Sequence, residues 1–307
     1  MLEFLKRTGQ ILMVLLGVMI LIFLMLRVVP GDPASVLLNE HVSQEAIERM
    51  TQSMGLDRSL PEQFTGYLSG VLRGDFGQSY YMKQPVRTLI AQAFPHTLLL
   101  ALLAAFFAWS FGILTGILSA LYHGRFPDYL FRGISLLGIS VPIFMIALFL
   151  QYLFYYRLSL FPQTYDGSFV SMILPAVALG WNSAGSVARL MRSGLMDQLR
   201  APYIDTARAK GRTYRKAVLT HGVKNAMLPV ITMMAMQFSG MLSGAVITES
   251  IFGVSGIGKL ALSAVQTRDM PLLQGTVLFT AFLIAAGNVA ADLLTRLLDP
   301  RLRKNGD

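Results

Sequence analysis

Gly253-Val254-Ser255-Gly256-Ile257-Gly258-Lys259-Leu260 is the stretch of this chain that comes nearest to a nucleotide site, because it almost spells G-x-x-x-x-G-K-[ST]. That chemistry needs a hydroxyl after the lysine to ligate Mg²⁺ and a buried strand before the first glycine. Leu260 has no hydroxyl, and an apolar run of span length precedes Gly253. The glycines are therefore read as letting the backbone turn tightly at a membrane surface. The 4 histidines, His41, His96, His123 and His221, have no second ligand at i+3 or i+4, and of them only His41 and His96 share a loop. That argues against a hydrolytic metal site. With 0 cysteines there is no thiolate ligand, disulfide framework or thiol nucleophile. No Ser/His/Asp arrangement and no H-E-x-x-H helix is visible, so the chain shows no sign of its own catalysis, and neither a metal nor a cofactor is expected in it.

Uncharged polar residues inside apolar runs carry the next signal. Asn182, Ser183, Gln237 and Ser239 lie in such runs, as do Gln151 and Asn288. A polar side chain in lipid is costly and usually faces a bundle interior or a cavity. The first four divide evenly between a substrate pathway and interhelical hydrogen bonding. Gln151 and Asn288 favour packing. Gly112-x-x-x-Gly116 and Gly240-x-x-x-Gly244 read as close helix-packing faces. The 17 methionines, Met233-Met234-Ala235-Met236 among them, read as lipid-facing or gap-filling. A methionine-lined metal path is the alternative.

Pro202-Tyr203-Ile204-Asp205-Thr206-Ala207-Arg208-Ala209-Lys210-Gly211 is the most informative stretch. Proline in a first turn and glycine as the stop predict a short capped helix. The small residues Thr206, Ala207 and Ala209 suit docking into a groove on a partner protein.

These residues must be held by membrane spans. Of 307 residues, 54% are hydrophobic and 14% charged, against about 25% charged in a soluble domain. Runs of about 20 apolar residues occur at Gly9–Val29, Thr97–Tyr122, Tyr129–Tyr156, Phe169–Ala188, Ala226–Thr248 and Gln274–Ala291. The first run lacks a small-x-small cleavage site at Val28-Val29-Pro30-Gly31-Asp32-Pro33 and is long for a signal peptide, so it is expected to stay as a span. Arg189, Arg192, Arg200, Arg208, Lys210, Arg212, Arg215, Lys216 and Lys224 crowd one loop, and Lys6, Arg7, Arg301, Arg303 and Lys304 flank the ends. In loop 30–96 the bases are offset by Asp32, Glu40, Glu45, Glu48, Asp57, Glu62 and Asp75. The net charge of +9 thus fits positive-inside loops better than nucleic acid. The reading is an all-α membrane protein of six transmembrane helices with both termini cytoplasmic. One transmembrane domain spans 1–307, with an external loop at 30–96 and a cytoplasmic loop at 189–225. Within the external loop, Gln44–Met54 reads as a short helix capped by Ser43 and stopped by Gly55, and a second begins near Leu60-Pro61-Glu62.

Asp205-Thr206-Ala207 with Gly211, followed by Leu228-Pro229, resembles the cytoplasmic coupling loop of permease subunits in ABC importers. Two of the three leading residues depart from the generic Glu-Ala-Ala, but the run resembles the dipeptide/oligopeptide/nickel branch. So do Pro30-Gly31-Asp32-Pro33, Gly55-Leu56-Asp57, Gly74-Asp75-Phe76-Gly77, Lys224-Asn225-Ala226-Met227-Leu228-Pro229, Glu249-Ser250-Ile251-Phe252, Arg268-Asp269-Met270-Pro271 and Asp299-Pro300-Arg301. In order along the chain they are similar to the first of the two permeases, with Ser255-Gly256 replacing its usual Pro-Gly. The resemblance implies a type I importer permease in a bacterial inner membrane. Its partners would be a second permease, two identical or different ATPases that bind ATP and Mg²⁺, and an extracytoplasmic binding protein. Tyr203–Gly211 would couple to the ATPases. Glu249, Phe252, Arg268 and Asp269 would form an external gate or binding-protein contact. Di- or oligopeptides are the expected cargo, with nickel, metal chelates or glutathione as alternatives. A gradient-driven transporter working alone is the rival class, though it would want ionisable residues in mid-span.

Overall fold

The computed structural model of the chain describes residues 2–28, 51–52, 57–243 and 245–298. Among these the β pairing is an isolated bridge between Gln78 and Pro85, and nearly all else is helix. The helices are α1 (Leu2–Val28), α2 (Leu60–Leu72), α3 (Val86–Leu121), α4 (Phe126–Ser140), α5 (Ile143–Arg157) and α6 (Val170–Leu199). They continue with α7 (Pro202–Ala209), α8 (Tyr214–Leu242), α9 (Val246–Phe252), α10 (Ile257–Gln266) and α11 (Met270–Leu298). The all-α class holds. α3, α6, α8 and α11 are each long and apolar enough to cross a membrane. α1 carries the apolar stretch Gly9–Met25 within 27 residues. At 1.5 Å per residue such a helix reaches about 40 Å, more than the roughly 30 Å of hydrocarbon. The short helix expected at Gln44–Met54 lies, but for Thr51 and Gln52, outside the described residues.

One expected span is corrected. Tyr129–Tyr156 is not a continuous helix, because α4 and α5 meet at a bend of 111°. Pro142 lacks an N–H and its ring excludes the helical conformation from the residue before it. Val141 is accordingly extended (φ −85°, ψ 127°), and its N–H makes the last bond of α4, to Leu137.

The contacts divide the chain into two compact units, Met1–Thr97 with Ser255–Ala285, and Leu98–Val254 with Ala286–Asp307. In the first unit Val86, Leu89, Ile90 and Ala93 of α3 pack with Ile257 and Ala264 of α10 and Leu272 of α11. α2 starts as expected, with Pro61 in its first turn and the Ser59 N–H and hydroxyl donating to the Glu62 carboxylate. Those bonds hold the Glu62 carboxyl below its usual value, the Ser59 hydroxyl contributing most. The Gly74-Asp75-Phe76-Gly77 motif is a turn in which both glycines have positive φ (75° and 81°) and Asp75 Oδ1 accepts the Gly77 N–H at 2.9 Å.

In the second unit α6 is the hub, packed on α4, α5, α8 and α9. Glycine makes this possible. A Cβ on Gly112 would sit 2.7 Å from the Ala184 carbonyl, and one on Gly116 2.6 Å from that of Ala188. The first small-xxx-small pair is thus a close-packing face. Gly240 of the second has nothing within 4 Å of its Cβ position, so no such face forms there, and Gly244 lies outside the described residues.

Candidate functional site

The predicted short helix is α7. It starts with Pro202 at its first turn and stops before Gly211, whose φ of +84° is the left-handed conformation glycine adopts without strain. Eight residues do not hold a helix in water by propensity, so α7 depends on its anchors. Ile204 and Ala207 are buried, and Ile204 reaches Gly222 in the π-helical turn Val218–Gly222 of α8, with Leu195 of α6 alongside. Burying an isoleucine contributes on the order of 1.5–3 kcal/mol. Tyr203 adds a hydrogen bond from its hydroxyl to Gln198 Oε1 at 2.7 Å. The opposite face is free: Asp205, Thr206, Arg208, Ala209, Lys210 and Gly211 are exposed, Asp205 by 81% at its side chain. Arg208 makes a long 3.5 Å pair with Asp205 and lies over the Tyr214 ring. Ala207 was expected on the docking face and instead points into the chain, because its i, i+3 spacing from Ile204 puts both on one side.

Asn182, Ser183 and Gln237 come together. With Ser140, Pro142 and Met241 they line a cavity of about 560 Å³. Asn182 Nδ2 donates to the carbonyls of Gly138 and Ile139, both at 3.3 Å. Those are end carbonyls that the α4–α5 break leaves without helical partners. Gln237 Oε1 is buried and accepts no hydrogen bond among the described residues. Ser239 does not join them. It is buried, donates to the Ala235 carbonyl, and lies against Gly287. Gln151 donates to the carbonyls of Gln163 and Ile251, so its packing role stands.

Three of the four residues expected at an external contact are interior. Glu249 and Phe252 are buried beside the Tyr165 N–H to Phe252 carbonyl bond. In the other unit Asp269 accepts from the Ser79 hydroxyl and the Tyr81 N–H, and from Leu272 as the cap of α11. Arg268 is half-buried, with φ +49°. The Glu249, Phe252 and Asp269 side chains thus support the local structure from inside. The P-loop look-alike is a turn: Gly253 is left-handed (φ 72°), a helix precedes it, and Gly256 caps α10.

Sequence reasoning missed a polar cluster at the ends of α3, α4 and α6. Asp128, 1% exposed, accepts from Arg192 Nε at 2.8 Å and Nη2 at 2.9 Å, from the Ser119 hydroxyl at 2.6 Å and from the Gly124 N–H at 3.0 Å. His123 Nδ1 is 3.1 Å from Arg192 Nη2. The only signal was a lone acid in a basic loop, and Arg192 was absorbed into the positive-inside count. Another clamp, between Ser168, Ser171 and Asp166, draws the Asp166 carboxyl down to about 2, chiefly through the Ser168 hydroxyl.

Comparison with known proteins agrees with this architecture. Residues 112–304 match the family described as binding-protein-dependent transport system inner membrane component, and residues 1–101 match its N-terminal family. Relatives named glutathione transport system permease protein GsiC are 36% identical over 298 residues in Shigella flexneri serotype 5b (strain 8401) and in Escherichia coli (strain K12), with 97% of each chain covered. The Salmonella paratyphi A (strain ATCC 9150 / SARB42) relative of that name is 37% identical over 299 residues, covering 97% of this chain and 98% of its own. Among solved structures, the inward-facing MetNI methionine ABC transporter aligns at TM-score 0.55 with 15% identity, covering 69% of this chain and 96% of that one. An amino acid ABC transporter aligns at TM-score 0.52 with 19% identity, covering 70% and 94%; both speak to fold alone. The chain belongs to the inner-membrane permeases of binding-protein-dependent ABC importers, in the peptide and nickel branch, as a multi-pass protein of the bacterial inner membrane.

Proposed function

We propose that this chain is one half of the translocation path of an importer for short peptides, paired with a homologous permease and driven by two separate ATPase subunits. The observation that carries the coupling half is α7: a helix anchored by Ile204 and Ala207 and stopped by a left-handed Gly211, with Asp205 turned outward. It follows α6 after a turn of two residues and seats on the first turns of α8. A push on its exposed face is therefore delivered to two long helices as a packed unit. ATP and Mg²⁺ belong to the ATPases. A binding protein delivers cargo from outside, onto loop 30–96 and the 249–271 segment. Alternating access follows from rigid-body movement of the permease halves.

Peptide cargo is supported by the relatives named for glutathione, itself a peptide, and by the cavity chemistry. Asn182, Ser183 and Gln237 offer uncharged polar contacts suited to the amide groups of a peptide. A nickel or metal-chelate cargo is the second reading of the branch. Family membership leaves the gradient-driven rival without support.

Gly211→Pro and Asp205→Arg test the coupling assignment in the reconstituted complex. Proline cannot adopt φ +84°, and arginine reverses the charge of the exposed face. Both variants are expected to insert and assemble yet lose substrate-stimulated ATP hydrolysis. Normal stimulation in both would sink the assignment.

A further inference from the structure

α3, α4 and α6 enclose another cavity of about 560 Å³, apart from the one lined by Asn182 and Gln237. Arg132 of α4 and Arg189 and Arg192 of α6 line it, with the hydroxyls of Ser119, Ser135 and Ser193, and no carboxylate is among its lining residues. Arg192 is committed to Asp128. Arg132 and Arg189 form no ion pair among the described residues. The Ser119 and Ser135 hydroxyls already donate to Asp128 and to the Phe131 carbonyl, so the two uncancelled guanidinium groups carry the recognition of phosphate oxygens, since Arg binds phosphate through paired, charge-assisted hydrogen bonds. Tyr129 and Leu136 also line it and are 61% and 63% exposed, giving the charged cleft an apolar rim.

These residues adjoin the basic 189–225 loop, which the importer topology of the preceding reading puts on the cytoplasmic side. Anionic lipids charge that leaflet negatively, and basic pockets between helices there bind headgroups. We propose that this cavity binds the phosphate headgroup of an anionic phospholipid, with the acyl chains running along Tyr129 and Leu136. Bound lipid neutralises Arg132 and Arg189 and ties α4 to α6 beside the Asp128 cluster.

The test is native mass spectrometry of the importer complex released from nanodiscs of equal phosphatidylglycerol and phosphatidylcholine. The wild type is expected to retain phosphatidylglycerol preferentially, and R132Q/R189Q to lose that retention by about tenfold. R132K/R189K, which keeps the charge, is expected to hold most of it, and R215Q/K216Q, elsewhere in the basic loop, all of it. Equal unfolding temperatures of wild type and R132Q/R189Q in phosphatidylcholine discs show that the fold is intact. If R132Q/R189Q does not assemble, the wild-type preference between the two lipids decides. Equal retention of both lipids, or an equal loss in R215Q/K216Q, would overturn the proposal. So would saturable binding of inorganic phosphate without lipid preference, which assigns the cleft to a soluble anion. Transport is not read in this experiment, so the peptide-import reading stands or falls separately.

Discussion

Asp128→Ala removes the acceptor on which Arg192 Nε and Nη2, the Ser119 hydroxyl and the Gly124 N–H converge. Taking one partner from a buried ion pair costs about 3–5 kcal/mol, because the other charge is left uncompensated. Arg192 retains 19% side-chain exposure, so water rescues part of it, and the lower end, about 3 kcal/mol, is expected. Arg192→Leu should cost at least as much, since Asp128, at 1% exposure, has less access to water. The double replacement Asp128→Ala/Arg192→Leu removes both charges together and is expected to recover most of the loss. The coupling energy from the cycle should therefore exceed about 2 kcal/mol. Equilibrium unfolding of the purified chain in mixed micelles, followed by helical dichroism, measures all four species. A single-mutant cost below about 1 kcal/mol, or a double mutant equal to the sum of the singles, would refute the view that the cluster locks α3, α4 and α6 together.

Gly112→Val should destabilise the chain by about 1–3 kcal/mol, because its Cβ would meet the Ala184 carbonyl at 2.7 Å and the Val187 side chain at 2.8 Å; an unchanged melting temperature would deny the α3–α6 contact. Gln237→Leu is expected to lower uptake of a labelled dipeptide or tripeptide into proteoliposomes while complex yield and basal ATPase rate stay unchanged, and uptake equal to wild type would remove Gln237 from the path. Burial pushes the Tyr67 phenol up to about 12 from about 10, so folding opposes its ionisation and stability is lost as the pH rises from 10 through 12. Tyr67→Phe should weaken that alkaline loss without lowering stability at neutral pH, since the hydroxyl has no partner among the described residues; a melting-temperature series from pH 8 to 12 checks both.

Features written in local sequence were legible. α7 was readable from Pro202 and Gly211, the start of α2 from Pro61, and the turn at Gly253 from its glycines, because φ preferences act over a few residues. The cost of polar atoms in lipid singled out Asn182, Ser183 and Gln237, and their grouping came only with the fold. Long-range partnerships were not legible. Ser239 has the same composition signal but is spent on its own helix carbonyl. The Asp128–Arg192 pair spans 64 residues and is invisible to periodicity. Burial of Glu249, Phe252 and Asp269 depends on elements distant in sequence. The break at Pro142 carried a local signal, but hydropathy overrode it: the residues on both sides are apolar enough to read as one span.

The measurement that bears most directly on the central claim is a mild-detergent pull-down of the tagged chain from native membranes, with partners identified by mass spectrometry. The account predicts co-purification of a second permease and ATPase subunits, with Gly211→Pro leaving the permease pair intact. Recovery of the chain alone, from membranes in which it demonstrably supports uptake, would contradict the coupling role of α7 and require a self-contained transporter.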